Sequence, residues 1–220
     1  MNLHPIYVLR LIHLDIIKKT SLKIYLNKIF FKEGNSMLKA IGSKQDLSVP
    51  GAECGYYEAV ADLLDSEVVQ QMNQYMHHGH TTCFQHCLNV SYYNYVLCKL
   101  LSLDARAGAR AGLLHDLFLY DWHDYVREKG QKLHGWTHAA TALANVNKYF
   151  EITPVEADII KKHMFPMNIA LPKYKETVVI IFVDKICGAW EVMAHWGWLA
   201  KRAATFPKCK ITEIRERRSA

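Results

Sequence analysis

From residue 53 onward, apolar residues recur at steps of three and four along most of this chain, and the pattern breaks at a few defined points. The stretch ECGYYEAVADLLDSEVVQQMNQYMHH predicts helix that ends at Gly79. TTCFQHCLNVSYYNYVLCKLL predicts the next helix, with Thr81 or Thr82 as its cap, because a threonine oxygen there can satisfy a free backbone N–H. Ser102-Leu103-Asp104 restarts the chain as DARAGARAGLLHD with Asp104 as cap. HAATALANVNKYF follows His134-Gly135-Trp136-Thr137, and Thr153-Pro154 opens PVEADIIKKHMF with proline in the first turn. Pro166 and Pro172 bracket a loop, and KYKETVVIIFVDKICGAWEVMAHWGWLA is the last long helix. Its VVIIFV core is β-branched and reads equally as a strand. No second convincing strand exists to pair with it, so a buried helix is assigned. The pattern predicts an all-α fold with an N-terminal extension at 1–52, a helical domain at 53–200 and a basic tail at 201–220.

The chain has 220 residues, half of them hydrophobic, which is enough for one domain with a substantial core. No apolar run reaches the roughly 18 residues needed to span a bilayer, so no membrane partner is expected. The net charge of +6 sits at the ends. Residues 37–200 carry fourteen Lys/Arg against seventeen Asp/Glu, so the body is mildly acidic and no nucleic-acid-binding face is expected there. The stretch KCKITEIRERRSA reads as a solvated helix or tail. The six cysteines lack a Cys-x-x-Cys pair and read as reduced thiols of a cytoplasmic protein. Residues 1–36 are apolar and basic, but Arg10, Asp15 and Lys18-Lys19 interrupt them, so they form neither a signal peptide nor an anchor. They are either an amphipathic helix or sequence upstream of a start at Met37.

The chemistry is carried by polar residues inside the apolar helices. AGLLHDLFLYDW sets His115 beside Asp116 in a segment that ought to be buried. An unpaired buried carboxylate costs several kcal/mol, roughly, so Asp116 needs a partner. His86 lies in CFQHCLNV, His138 in THAATAL, His163 in IIKKHMFP and Asp184 in IFVDKICG. Each falls on a different predicted helix or at its end, among residues that pull it inward. One such histidine alone is more often a core residue than a ligand. Six in order, converging in a helical bundle, form a metal site, and imidazole with carboxylate suits Fe, Mn, Zn, Co or Ni.

His86, His115-Asp116 and Asp184, in that order on helices, resemble the signature of the HD-domain superfamily of metal-dependent phosphohydrolases. His138 and His163 resemble the extra ligands of its two-metal members, such as the HD-GYP cyclic-dinucleotide phosphodiesterases, although the Gly-Tyr-Pro motif of that group is missing here. The segments HGHTTCFQHCLNV, LLHDLFLYDW, LHGWTHAATALANV, IIKKHMFP and VDKICG look like small stand-alone bacterial HD proteins over roughly residues 56 to 200. The resemblance implies an HD-type helical bundle with a metal site at its centre. It also implies two divalent ions held by His86, His115, Asp116, His138, His163 and Asp184, with Asp116 bridging them.

The implied chemistry is hydrolysis of a phosphate ester of a small phosphorylated substrate by a metal-activated hydroxide. Asp116 is the catalytic carboxylate and Lys185 a candidate to assist at phosphate. His134, four residues before His138, and Arg110 are candidates for substrate contact. His77, His78 and His80, around Gly79, either line the mouth of the site or form a solvated turn. No phosphate-binding glycine loop of the Gly-x-x-x-x-Gly-Lys type occurs. Two rival readings remain: a mixed-valence di-iron oxygenase of the same superfamily, and a non-catalytic module that binds metal or nucleotide.

Overall fold

In a computed structural model of the chain the described residues are 38–47, 55–123 and 134–205, with side chains as far as 199. The expectations about residues 1–36, a start at Met37, Cys54, Cys209 and the basic stretch after residue 205 lie outside them. The chain divides into two compact units, Met1–Glu58 and Ala59–Ala220. In the first, residues 38–47 make a turn closed by Leu47 N–H donating to the Leu38 carbonyl at 2.8 Å, with Leu47 fully buried.

Helix dominates the described residues. α1 (Tyr56–Leu64) leads to the single turn α2 (Glu67–Gln70) and a 3₁₀ turn, Gln71–Gln74. The strands β1 (Met76–His78) and β2 (Thr81–Thr82) follow, then α3 (Cys83–Leu100), α4 (Ala105–Leu114), α5 (His134–Tyr149), α6 (Pro154–Lys162) and α7 (Lys175–Thr205). The strands hold three and two residues, so the all-α class stands. VVIIFV lies within α7, as a helix. One element departs from expectation. The helix expected to run to Gly79 stops at Gln74, and Met76–His78 pairs antiparallel with Thr81–Thr82. Gly79 turns the hairpin at φ +60°, a conformation glycine adopts without cost.

The caps fall where the side chains allow. Thr82 accepts from Gln85 N–H and Asp104 from Ala107 N–H. Thr153 and Glu156 form a reciprocal capping box around Pro154. α3 ends with Leu103 N–H on the Cys98 carbonyl and Ser102 N–H on the Lys99 carbonyl, a Schellman arrangement with Ser102 at φ +56° where glycine is usual.

α3 is the centre of the fold. Fourteen of its eighteen residues are buried, and it packs on α4 and α7. The α4 crossing is close because α4 presents glycine there. A Cβ at Gly112 would stand 2.7 Å from Ser91 Cα, and one at Gly108 would stand 2.9 Å from Cys98 Sγ. Two buried polar residues of α3 clamp the crossing: Ser91 Oγ donates to the Ala109 carbonyl at 2.7 Å and Asn94 Nδ2 to the Gly108 carbonyl at 2.8 Å. This crossing sets the end of α4, where His115 and Asp116 lie, against α3. α6 packs against α4, α5 and α7 and so joins the remaining histidine-bearing elements to the same core.

Candidate metal centre

Each predicted ligand projects from a helix or a helix end. His86 comes from α3, His138 from α5 and Asp184 from α7, while His115 and His163 are the C-terminal caps of α4 and α6. All except the half-buried Asp184 are buried. Three of the imidazoles are held in the same way. The Nδ1 of His115 meets the Gly112 carbonyl at 2.8 Å, that of His138 the His134 carbonyl at 3.1 Å and that of His163 the Ile160 carbonyl at 2.8 Å. A carbonyl only accepts, so each Nδ1 carries the proton and each Nε2 is left with a lone pair.

Those lone pairs meet one another and the carboxylates. His138 Nε2 and His163 Nε2 are 2.9 Å apart, and they lie 3.4 and 3.5 Å from Asp116 Oδ1. His115 Nε2 lies 3.5 Å from Asp116 Oδ2 and 3.7 Å from Asp184 Oδ1. His86 Nε2 is 3.1 Å from Asp184 Oδ1. Buried His115 Nε2 and Asp116 Oδ1 make no hydrogen bond among the described residues. Two facing lone pairs and a buried carboxylate oxygen without a donor are satisfied together by positive charge placed between them. The ligand atoms of His86, His115 and Asp184 lie within 4.8 Å of one another, as do those of His115, Asp116 and His163. Both groups suit a metal ion, and the imidazole-carboxylate set matches the transition metals rather than calcium or magnesium.

The electrostatics favour the same conclusion. Burial opposes ionisation of Asp116, but His115, a hydrogen bond from His77 and the neighbouring His138 and His163 imidazoles hold its carboxyl well below the usual range. Asp184 is likewise held down against burial by His115 and His86. Burial pulls His86 and His115 toward neutrality, yet the carboxylates facing them outweigh it and raise both, most strongly for His86 beside Glu191 and Asp184. His163 is pushed down to about 3 by burial and by the His115 charge. The centre is an anionic pocket lined by imidazoles and favours a cation, whether proton or metal.

Two residues join the site that the sequence pattern did not single out as ligands or their supports. His77, on β1, donates from Nε2 to Asp116 Oδ2 at 2.9 Å and stacks on the His86 ring with centroids 4.1 Å apart. Glu191, fully enclosed on α7, faces His86 Nδ1 at 2.9 Å and accepts from Asn89 Nδ2 at 2.7 Å. It orients the His86 ring as carboxylates commonly orient metal-bound histidine. A signal for Glu191 existed, since it lies seven residues, two helical turns, beyond Asp184 on the same face. His77, His78, His86 and Glu191 form a third group with ligand atoms within 4.8 Å of one another.

His134 stands beside the cluster. Its ring stacks on His138 at 4.7 Å and on Trp122 at 5.6 Å, and its Nδ1 pairs with the Tyr120 hydroxyl at 2.9 Å. Burial and the neighbouring His138 push it down to about 4, so it is neutral near pH 7. The two cationic candidates make their hydrogen bonds outside the cluster. Arg110 is buried, with Nε donating to Glu156 at 3.1 Å and Nη1 to Asp62 at 2.6 Å and to the Ala59 carbonyl at 3.1 Å. Two carboxylates and a carbonyl claim its donors, and its role is to join α1, α4 and α6. Lys185 is exposed, and its ammonium turns back onto the Ile181 carbonyl of its own helix at 3.3 Å.

The four described cysteines, Cys83, Cys87, Cys98 and Cys187, are free thiols. Among the described residues no helix is long and apolar enough to cross a membrane. No protein-family model, curated protein or solved structure matches the chain.

Proposed function

We propose that this chain is a metal-dependent phosphohydrolase of the HD type, which cleaves a phosphomonoester or phosphodiester of a small metabolite with two divalent ions. The observation that carries this reading is the meeting of His138 Nε2, His163 Nε2 and Asp116 Oδ1 from three separate elements, with both imidazoles anchored through Nδ1 on backbone carbonyls and Asp116 Oδ1 buried without a hydrogen bond among the described residues. One ion belongs with His86, His115 and Asp184, and the other with Asp116, His138 and His163. Divalent ions bound there supply Lewis-acid charge to phosphoryl oxygens and acidify a water toward neutral pH.

The chain's own groups do the rest. Asp116 stays ionised between the two groups, and His77 fixes its Oδ2 while Oδ1 remains available. The Nδ1 anchors of His115, His138 and His163 keep three imidazoles in one tautomer, so the cradle is set before any ligand arrives. With its Nδ1 taken by Tyr120, His134 keeps Nε2 for a hydrogen bond to substrate, and its low pKa makes that bond one from a neutral donor.

The deciding experiment incubates the purified chain with Mn, Fe, Co, Ni or Zn against generic phosphomonoesters and phosphodiesters. Metal analysis and oxygen consumption are followed in parallel. Phosphate release that depends on added metal supports the proposal. Bound metal without turnover turns it toward a binding module, and oxygen uptake with a di-iron spectrum turns it toward an oxygenase.

A further inference from the structure

α7 is unusual in being apolar on opposite faces. Its inward face, Ile180, Val183, Cys187 and Glu191, is buried beside the metal-binding groups. A helix at the edge of a domain normally turns polar residues outward. Here the outward face carries Phe182 at 50% exposure, Ile186 at 48%, Met193 at 64% and Trp196 at 68%, with the exposed Ala189 at its middle. The spacing of these five residues is four, three, four, three, the alternation of a coiled-coil seam. Val192 and Leu199, also exposed, broaden it.

We propose that this face is the seam of a homodimer, in which α7 packs antiparallel against α7 of a second copy about a two-fold axis through Ala189. The arrangement is self-complementary. The axis places Phe182 opposite Trp196, each seven residues from Ala189, and sets Ile186 opposite Val192 and beside Met193, so each bulky residue meets one from the other half of the helix. Ala189 meets its own copy, and its small side chain lets the two helices approach at the crossing. A two-fold interface requires this pairing of one patch with itself. The area is of the right size. With full side-chain areas of about 150–250 Å², the exposures above, with Val192 and Leu199, leave on the order of 600 Å² of apolar surface per chain, against roughly 800 Å² per partner in a standard interface. A monomer leaving this stripe in water would carry an apolar patch at the upper end of what soluble proteins show.

Light scattering coupled to size exclusion on the full chain, at micromolar concentration, is expected to give the mass of two copies. Ala189→Arg and Met193→Glu each place a charge in the seam and are expected to shift the mass to one copy, with circular dichroism and bound metal unchanged. Because a charged variant can fail for other reasons, a cross-link supplies the second measurement. In a Cys54→Ser, Cys209→Ser background, Ala189→Cys is expected to form a disulfide dimer under mild oxidation, while the highly exposed Ile169→Cys is not. A single-copy mass for the unaltered chain overturns the proposal. So does a dimer that survives both charged variants, or one in which Ala189→Cys cross-links no faster than Ile169→Cys.

Discussion

Asp116 carries the most consequence of any residue in the chain. It is buried and ionised, and it touches or faces His77, His115, His138 and His163. Asp116→Ala removes the negative charge that makes the pocket attractive to a cation. On the proposed function it is expected to abolish metal retention and phosphate release while the helices persist. Metal analysis beside far-ultraviolet circular dichroism checks this, and full metal occupancy in the variant would contradict it. Glu191→Gln is a milder change, because the amide keeps the shape but loses the charge that faces His86 Nδ1. A loss of about 10–100-fold in metal affinity is expected, the range seen when such orienting partners are removed. Competition with a chelator reads it directly, and an unchanged affinity would make Glu191 a packing residue only. The convergence of these six residues was legible because imidazoles and carboxylates in apolar helices conflict with burial and the conflict requires a remedy. Glu191 raised the same conflict but lay outside the six-residue pattern. Arg110 could not be placed, because its partners Asp62 and Glu156 stand 48 and 46 positions away and no periodicity links them.

At the scale of elements, the close α3–α4 crossing positions His115 and Asp116 against α3. Gly112→Ala puts a methyl 2.7 Å from Ser91 Cα, which is backbone and cannot swing aside. The helices must separate, and a destabilisation of about 1–3 kcal/mol is expected from overpacking of this kind. Thermal unfolding measures it, and metal affinity should fall together with stability because His115 moves with α4. An unchanged melting temperature would show that the crossing has slack. The helices themselves were legible from their three- and four-residue steps and their caps; Thr82, Asp104 and Thr153 cap where their side chains predict. The β1–β2 hairpin was not. Two strands of three and two residues give no alternation to detect, and Met76-His77-His78 extends the helical pattern before it. The missed hairpin is what brings His77 onto Asp116.

Across the whole molecule, acid stability depends partly on a buried carboxylate away from the metal-binding groups. Asp158 accepts from Lys173 N–H at 2.9 Å and Thr177 Oγ1 at 2.7 Å and pairs with Lys162, which ties α6 to the start of α7. Burial alone would raise its pKa, but the bonds from Lys162, Thr177 and Lys173 outweigh it, and the folded value lies below 3.8. A carboxylate depressed on folding contributes stability that is present above its unfolded pKa and lost as pH falls through the folded one. Asp158→Asn is therefore expected to lower stability by on the order of 2 kcal/mol above pH 5, the typical contribution of hydrogen bonds to a charged group. The gap to the unaltered chain should close as pH falls through the folded pKa, which lies below 3.8. Melting temperatures from pH 7 to pH 2 test this, and a gap that stays constant would assign the effect to packing.

His115 and Asp116 are consecutive, and His115 belongs to two of the three candidate groups while Asp116 belongs to one of those two. A single peptide unit is thus the rivet between the two halves of the cradle. It fixes their spacing by covalent geometry rather than by packing. The spacing of His115 and Asp116 themselves cannot change without bending that one joint. A lineage altering its choice of metal would have to work through the outlying histidines on α5 and α6, which are free to shift with their own helices.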